Sequence, residues 1–202
     1  MRVTKNNHVT YRVTNTNSFK GNSRDSRTGV VQAVPLCFSG VVIMNIKIIC
    51  VGKLKETYWR DAVSEYGKRL KKYCRLDIIE LKESRLAANP SPADEEDVRT
   101  KESRAILDRI DKGTYVIALE INGKKLTSEA FSRKISDLAL ESVSDITFVI
   151  GGSLGFNEEV SRRANLRLSF SDMTFPHQMM RVILLEQIFR AFKISNNEPY
   201  HK

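Results

Sequence analysis

The chain has 202 residues, 41% of them hydrophobic, with a net charge of +9 and three cysteines. That length suits one domain or one domain with an appendage; no apolar run reaches the roughly 18 residues of a membrane span, and Cys37, Cys50 and Cys74 suit neither a disulfide framework nor a zinc spacing, so thiols in a reducing cytosol are expected. The charge is weak support for a polyanionic partner, because residues 1–43 carry six Lys/Arg against one acid (+5) and the other 159 residues carry 27 against 23 (+4).

In chain order, residues 1–43 stand apart. They are rich in Asn, Thr, Ser and Arg, and no helical or strand period persists through Met1 to Arg27. Such a segment buries too little apolar surface to offset its ordering entropy, so it is predicted to be a disordered extension. Three origins are open: translation from an early start codon with Met44 as the true first residue, an appended or natural tail, or an Arg/Ser-rich transit peptide. The regular domain is expected over 44–202. Strands are predicted at Ile46–Val51, Arg75–Leu81, Thr114–Ile121, Asp145–Ile150 and Leu166–Phe170. Helices alternate with them: Tyr58–Tyr73 behind a Thr57 cap, Ala93–Asp111, Leu126–Glu141, Asn157–Ala164 capped by Asn157, and Gln178–Ile194. Asn122-Gly123 signals a turn. The alternation predicts an α/β fold, a mainly parallel sheet flanked by helices, with ligands outside the carboxyl ends of strands.

Three segments invite chemistry. Gly151-Gly152-Ser153-Leu154-Gly155 follows the fourth strand of the domain. It lacks the first glycine of a dinucleotide fingerprint, which removes a Rossmann oxidoreductase, and it has no Gly-Lys-Ser/Thr. Adjacent glycines still let a ligand approach bare backbone; a tight turn is the plainer reading. Leu168 to His177 is too apolar for an ordinary loop: either a buried connection, or a pocket wall of amides, carbonyls and apolar side chains that suits an adenine and a sulfonium. His177 is a lone histidine before a long helix, and no Cys/His cluster implies a metal. The apolar surface of Gln178–Ile194 exceeds one stripe; core burial and a second subunit both account for the surplus. Arg181 and Arg190 lie on or beside that face, as anion contacts or as solvated charges.

Four runs occur together and in order: Val51-Gly52-Lys53-Leu54-Lys55-Glu56, Phe148 to Gly155, Phe175-Pro176-His177-Gln178-Met179-Met180-Arg181-Val182, and the closing Pro199-Tyr200-His201-Lys202. In these the chain resembles the ribosomal large subunit methyltransferase H family, a minimal branch of the SPOUT superfamily. The resemblance covers residues 44–202 and none of 1–43. It implies a deep trefoil knot near the C-terminus, a feature nothing in composition predicts. It also implies S-adenosylmethionine held by Leu119, Gly151, Gly152 and the run Phe170, Ser171, Asp172, Met173, Thr174 and Phe175. The implied substrate is N3 of a pseudouridine in 23S ribosomal RNA on the assembled ribosome. The implied enzyme is a cytoplasmic homodimer without metal or membrane contact. Around the base the expected groups are Arg181, Tyr200 and His201 as catalytic residues, with His177 beside them as a substrate contact. Arg181 would stabilise developing negative charge, and His201 would take the N3 proton or bind a phosphate. Two rivals stand: a SPOUT methyltransferase for another RNA such as tRNA, and a non-catalytic ribosome assembly factor on the same fold.

Overall fold

The computed structural model of the chain describes residues 10–13 and 43–199. The elements run β1 (Thr10–Val13), β2 (Met44–Val51), α1 (Thr57–Leu70), β3 (Cys74–Leu81), α2 (Pro92–Leu107), β4 (Tyr115–Lys125), α3 (Ser128–Leu140), β5 (Asp145–Ile150), α4 (Glu158–Arg163), β6 (Leu166–Ser169) and α5 (His177–Ser195). The strands form one sheet in the order β1-β3-β2-β5-β4-β6. All neighbours from β3 to β6 pair in parallel, so the expected five-stranded parallel sheet is present.

The central strands are apolar because both faces are covered. Along β2 the side chains alternate: Ile46, Ile48 and Cys50 join Phe148 and Ile117 under α1, α3 and α5, where Val63, Leu70, Phe131, Leu138, Leu184 and Ile188 close the layer. Ile49 and Val51 point the other way and pack with Val116 and Val149 against Ile106 of α2 and Val160 of α4. Part of the wide apolar surface of α5 is covered within one chain: α5 lies against both α1 and α3, burying Leu184, Leu185, Ile188, Phe189, Ala191 and Phe192, while Met179, Val182 and Ile183 are half-buried.

Four local details differ from the sequence reading. Thr57 is the first residue of α1, and the N-cap, Glu56, makes no side-chain cap hydrogen bond. Helix α2 starts at Pro92 behind a reciprocal Ser91–Asp94 capping box and ends four residues earlier than Asp111; such a cap contributes about 1 kcal/mol. Asn122-Gly123 is no turn between elements. β4 runs through it with a register shift against β6, where both Leu119 and Lys124 oppose Leu168. A Cβ on Gly123 would lie 2.6 Å from the Leu168 carbonyl carbon, so glycine serves close backbone approach there rather than chain reversal. Finally, Thr10–Val13 lies inside the segment expected to be without structure, yet it pairs antiparallel with β3, Thr10 opposite Ile79 and Val13 opposite Leu76. Four residues are too short to show a period, and their strand conformation comes from the open edge of β3.

Candidate active site

The carboxyl ends of β4, β5 and β6 face one cleft of about 690 Å³, a volume in the range of small-molecule sites. Its first wall is the middle of β4, Leu119 to Asn122, the stretch in which the register against β6 shifts. Glu120 in this wall is already engaged: Ser161 Oγ donates to it at 2.6 Å and Arg167 Nε at 2.7 Å.

The second wall is the loop after β5. Gly155 N donates to the Gly152 carbonyl at 3.1 Å, and Gly155 sits at φ +70°. The loop is so tight that a Cβ on Gly151 would meet Gly155 backbone at 2.9 Å, and one on Gly152 would meet Glu102 Oε2 at 2.7 Å. Helix α2 braces it from behind. Arg99 Nε donates to the Leu154 carbonyl at 3.3 Å, and Asn157 N donates to Ser103 Oγ at 2.8 Å. Glu102 is buried with its Oε1 accepting from Ser84 N at 2.8 Å. Burial pushes the Glu102 carboxyl above its usual range; the Ser84 N–H opposes this and nearby Glu83 adds to it.

The third wall runs from Leu168 to His177. Ser169 Oγ donates to the Ser171 carbonyl at 3.0 Å and Met173 N donates to Ser171 Oγ at 2.9 Å, which curls the segment over the cleft. Phe170, Thr174 and Phe175 line it, and Met173 stands at the rim with 73% exposure. His177 opens α5 and closes this wall. Burial lowers the His177 pKa from its ordinary 6.5; Arg181 and Lys55 act in the same direction and Glu83 against it.

The structure thus brings together Leu119, Gly151, Gly152, Phe170, Ser171, Met173, Thr174, Phe175 and His177 around one cavity. Asp172 lies outside that lining; its exposed carboxylate pairs with Lys125. Arg181 is also elsewhere. It is 1% exposed, with its guanidinium donating to Glu80 Oε1 at 2.7 Å and to the carbonyls of Val51 and Gly52 at 2.9 and 2.6 Å. All three bonds point into the protein, so Arg181 holds the ends of β2 and α5 together. Tyr200 and His201 fall outside the described residues. Sequence reasoning missed Glu120, Asn122, Phe156, Ser161 and Met180 as lining residues. The first two were within reach, being the continuation of a strand whose end was already singled out; Ser161, on a short helix, carries no such signal.

The cavity's walls fit a nucleoside bearing a sulfonium. They offer apolar surface from Leu119, Ile150, Phe170 and Phe175, beside a loop that glycine at 151 lets fold tightly on Gly155. Among the described residues no helix is long and apolar enough to cross a membrane.

A family profile described as "Predicted SPOUT methyltransferase" matches residues 44–201. The chain is 56% identical over 159 residues to the ribosomal RNA large subunit methyltransferase H of Clostridium novyi (strain NT), covering 79% of this chain and 100% of that protein. Over the same shares it is 53% identical to a putative ribosomal RNA large subunit methyltransferase H of Methanococcus maripaludis (strain C5 / ATCC BAA-1333), and 54% identical to the ribosomal RNA large subunit methyltransferase H of Clostridioides difficile (strain 630).

Proposed function

Because the chain belongs to the SPOUT methyltransferase family, we propose that it methylates N3 of a pseudouridine in 23S ribosomal RNA of the large subunit, using S-adenosylmethionine. The observation that carries this reading is the single cleft built from Leu119, Gly151–Gly152 and Phe170–Phe175 at three adjacent strand ends. When bound, the donor supplies an electrophilic methyl carbon on a positively charged sulfur. The chain's own part is to align donor and acceptor, which supplies much of the rate in such transfers. Leu119, Phe170 and Phe175 form the apolar part of the nucleoside site, and Gly151 and Gly152 let the loop beside it pack tightly on Gly155, Glu102 and Val51. Asp172 stands at the outer edge of the segment. Arg181 serves as a positioning residue through Glu80 and the carbonyls of Val51 and Gly52. Tyr200 and His201 contribute to recognition of the base in a homodimer, one copy holding the donor while the other helps bind the RNA, in a cytoplasmic setting on the ribosome. A knotted path for the C-terminal third belongs to the same proposal.

The test is calorimetric titration of S-adenosylmethionine into the purified chain, beside Gly151→Arg. A side chain at Gly151 meets the Gly155 backbone at once, so saturable binding that this variant abolishes is the expected result. Transfer of labelled methyl to large subunits lacking the modification, with the label recovered at N3 of pseudouridine, completes it. Label found only in tRNA would move the substrate assignment to that RNA. A folded chain that binds no donor, with ribosomes present or absent, would overturn the reading.

A further inference from the structure

We propose that the imidazole of His177 accepts the N3 proton of the target base, with the Glu83 carboxylate as the nearby charge that supports its protonated form. This rests on the methyl transfer proposed above. Among the described residues lining the cleft only Glu120 and His177 carry an acidic or basic side chain. Glu120 is tied by Ser161 and Arg167. Among the described residues, neither the His177 ring nor the Glu83 carboxylate is engaged in a hydrogen bond, so the imidazole keeps a lone pair while facing the cavity.

The surroundings give this ring a direction. Gly52 sits at φ +83°, and the point where its Cβ would stand is 3.1 Å from His177 Nε2 and 3.6 Å from Glu83 Oε2. The Nε2 edge of the ring therefore packs on the bare backbone of Gly52, and the Glu83 carboxylate stands over the same glycine. The charged groups facing the ring are Lys55 from the β2–α1 loop, Arg181 from α5 and Glu83 from the β3–α2 connection. Glu102 of α2 stands next to Glu83. Burial and the two cations keep the imidazole unprotonated at neutral pH, as a general base requires, and Glu83 stabilises the imidazolium once it forms.

The step balances as follows. The bond from N3 to the methyl carbon forms while the bond from that carbon to sulfur breaks, and its electron pair stays on sulfur. N3 gives its proton to the unprotonated ring nitrogen of His177, and solvent removes it after product leaves.

Two readouts test this on the full chain. A proton NMR titration of the His177 ring is expected to show a midpoint below the ordinary 6.5, and a still lower one in Glu83→Gln, which removes the anion that raises it. Single-turnover methylation of large subunits is expected to fall on the acid side with that same midpoint. His177→Gln should lower the rate about 100-fold or more with donor affinity retained and the acid limb flattened. Glu83→Gln should shift the limb down in step with its NMR midpoint; if His177→Gln loses its fold, this variant decides the matter alone. Unchanged rate and limb in His177→Gln overturn the inference, as does a limb that stays fixed in Glu83→Gln or one that vanishes in His201→Ala instead. Absence of any transfer by the unaltered chain overturns the proposed function and this inference with it, whereas transfer that survives His177→Gln overturns this inference alone.

Discussion

Replacing Arg181 with methionine removes the charge and keeps a similar apolar stem. The guanidinium and the Glu80 carboxylate are both almost fully buried, at 1% and 5% side-chain exposure. Without Arg181, Glu80 Oε1 keeps only the Leu54 N–H at 3.2 Å, and the carbonyls of Val51 and Gly52 lose their side-chain donor. Breaking a buried pair from one side costs about 3–5 kcal/mol, a large part of the roughly 5–15 kcal/mol that holds a domain folded. Adding Glu80→Gln removes the stranded charge, and the amide oxygen can still accept from Leu54 N. The double variant should therefore regain about half of the loss; the two carbonyls account for the remainder at about 1 kcal/mol each, the low end for an unmet acceptor. Urea unfolding followed by far-UV circular dichroism, at one fixed protein concentration, measures all three. A single variant within about 1 kcal/mol of the unaltered chain, or a double variant no better than the single, would refute the assignment of Arg181 as a tie between β2 and α5.

Two more outcomes follow from contacts already described. Gly123→Ala places a methyl group 2.6–2.8 Å from backbone atoms of Arg167 and Leu168, so β4 and β6 must part; a loss of about 1–3 kcal/mol is expected, with weaker donor binding because Leu168 and Ser169 line the cleft. A thermal melt and a titration check both, and an unchanged pair of values would remove Gly123 from this role. Glu198 accepts from Lys193 at 2.6 Å, Tyr73 OH at 2.8 Å and Lys72 at 3.0 Å, and the Lys193 ammonium foremost lowers its pKa from 4.5 to about 2. A depressed folded-state carboxyl contributes stability that is present above the unfolded value and lost as pH falls through the folded one. The stability gap between the unaltered chain and Glu198→Gln should accordingly close between pH 4.5 and about 2; a gap that persists unchanged to the acid end would contradict it.

Much of the architecture is legible in the residues alone because each central strand is apolar on both faces. Runs such as Ile46–Val51 and Ile146–Ile150 have one physical solution, a parallel sheet covered twice. The cleft is legible to the extent that strand ends are. Leu119, Gly151 and Phe170 converge because neighbouring parallel strands end on the same side. What escapes is whatever depends on a partner far along the chain. Arg181 reads as an anion contact on a wide apolar face, and only the fold reveals Glu80, 101 residues away, as its counter-charge. Gly123 reads as a turn because its other use, close approach to Leu168, leaves no local mark. Thr10–Val13 owes its strand to the free edge of β3 rather than to its own four side chains.

The position of β2 in the sheet also sets an order of events during synthesis. Its register partner on one side is β3, available early, but on the other side it is β5, with Asn45 opposite Asp145. While the chain is being made, the most apolar strand must wait for about a hundred further residues before its second edge is closed. Pairings of such long separation are slow to form and leave sticky edges exposed meanwhile. The cleft comes later still, since its last wall is Leu168 to His177 and its backing is α5. A nascent chain halted before α5 emerges would have all its strands but leave uncovered the sheet face on which α5 packs, so termination ahead of α5 should yield a species that is both inactive and prone to aggregate.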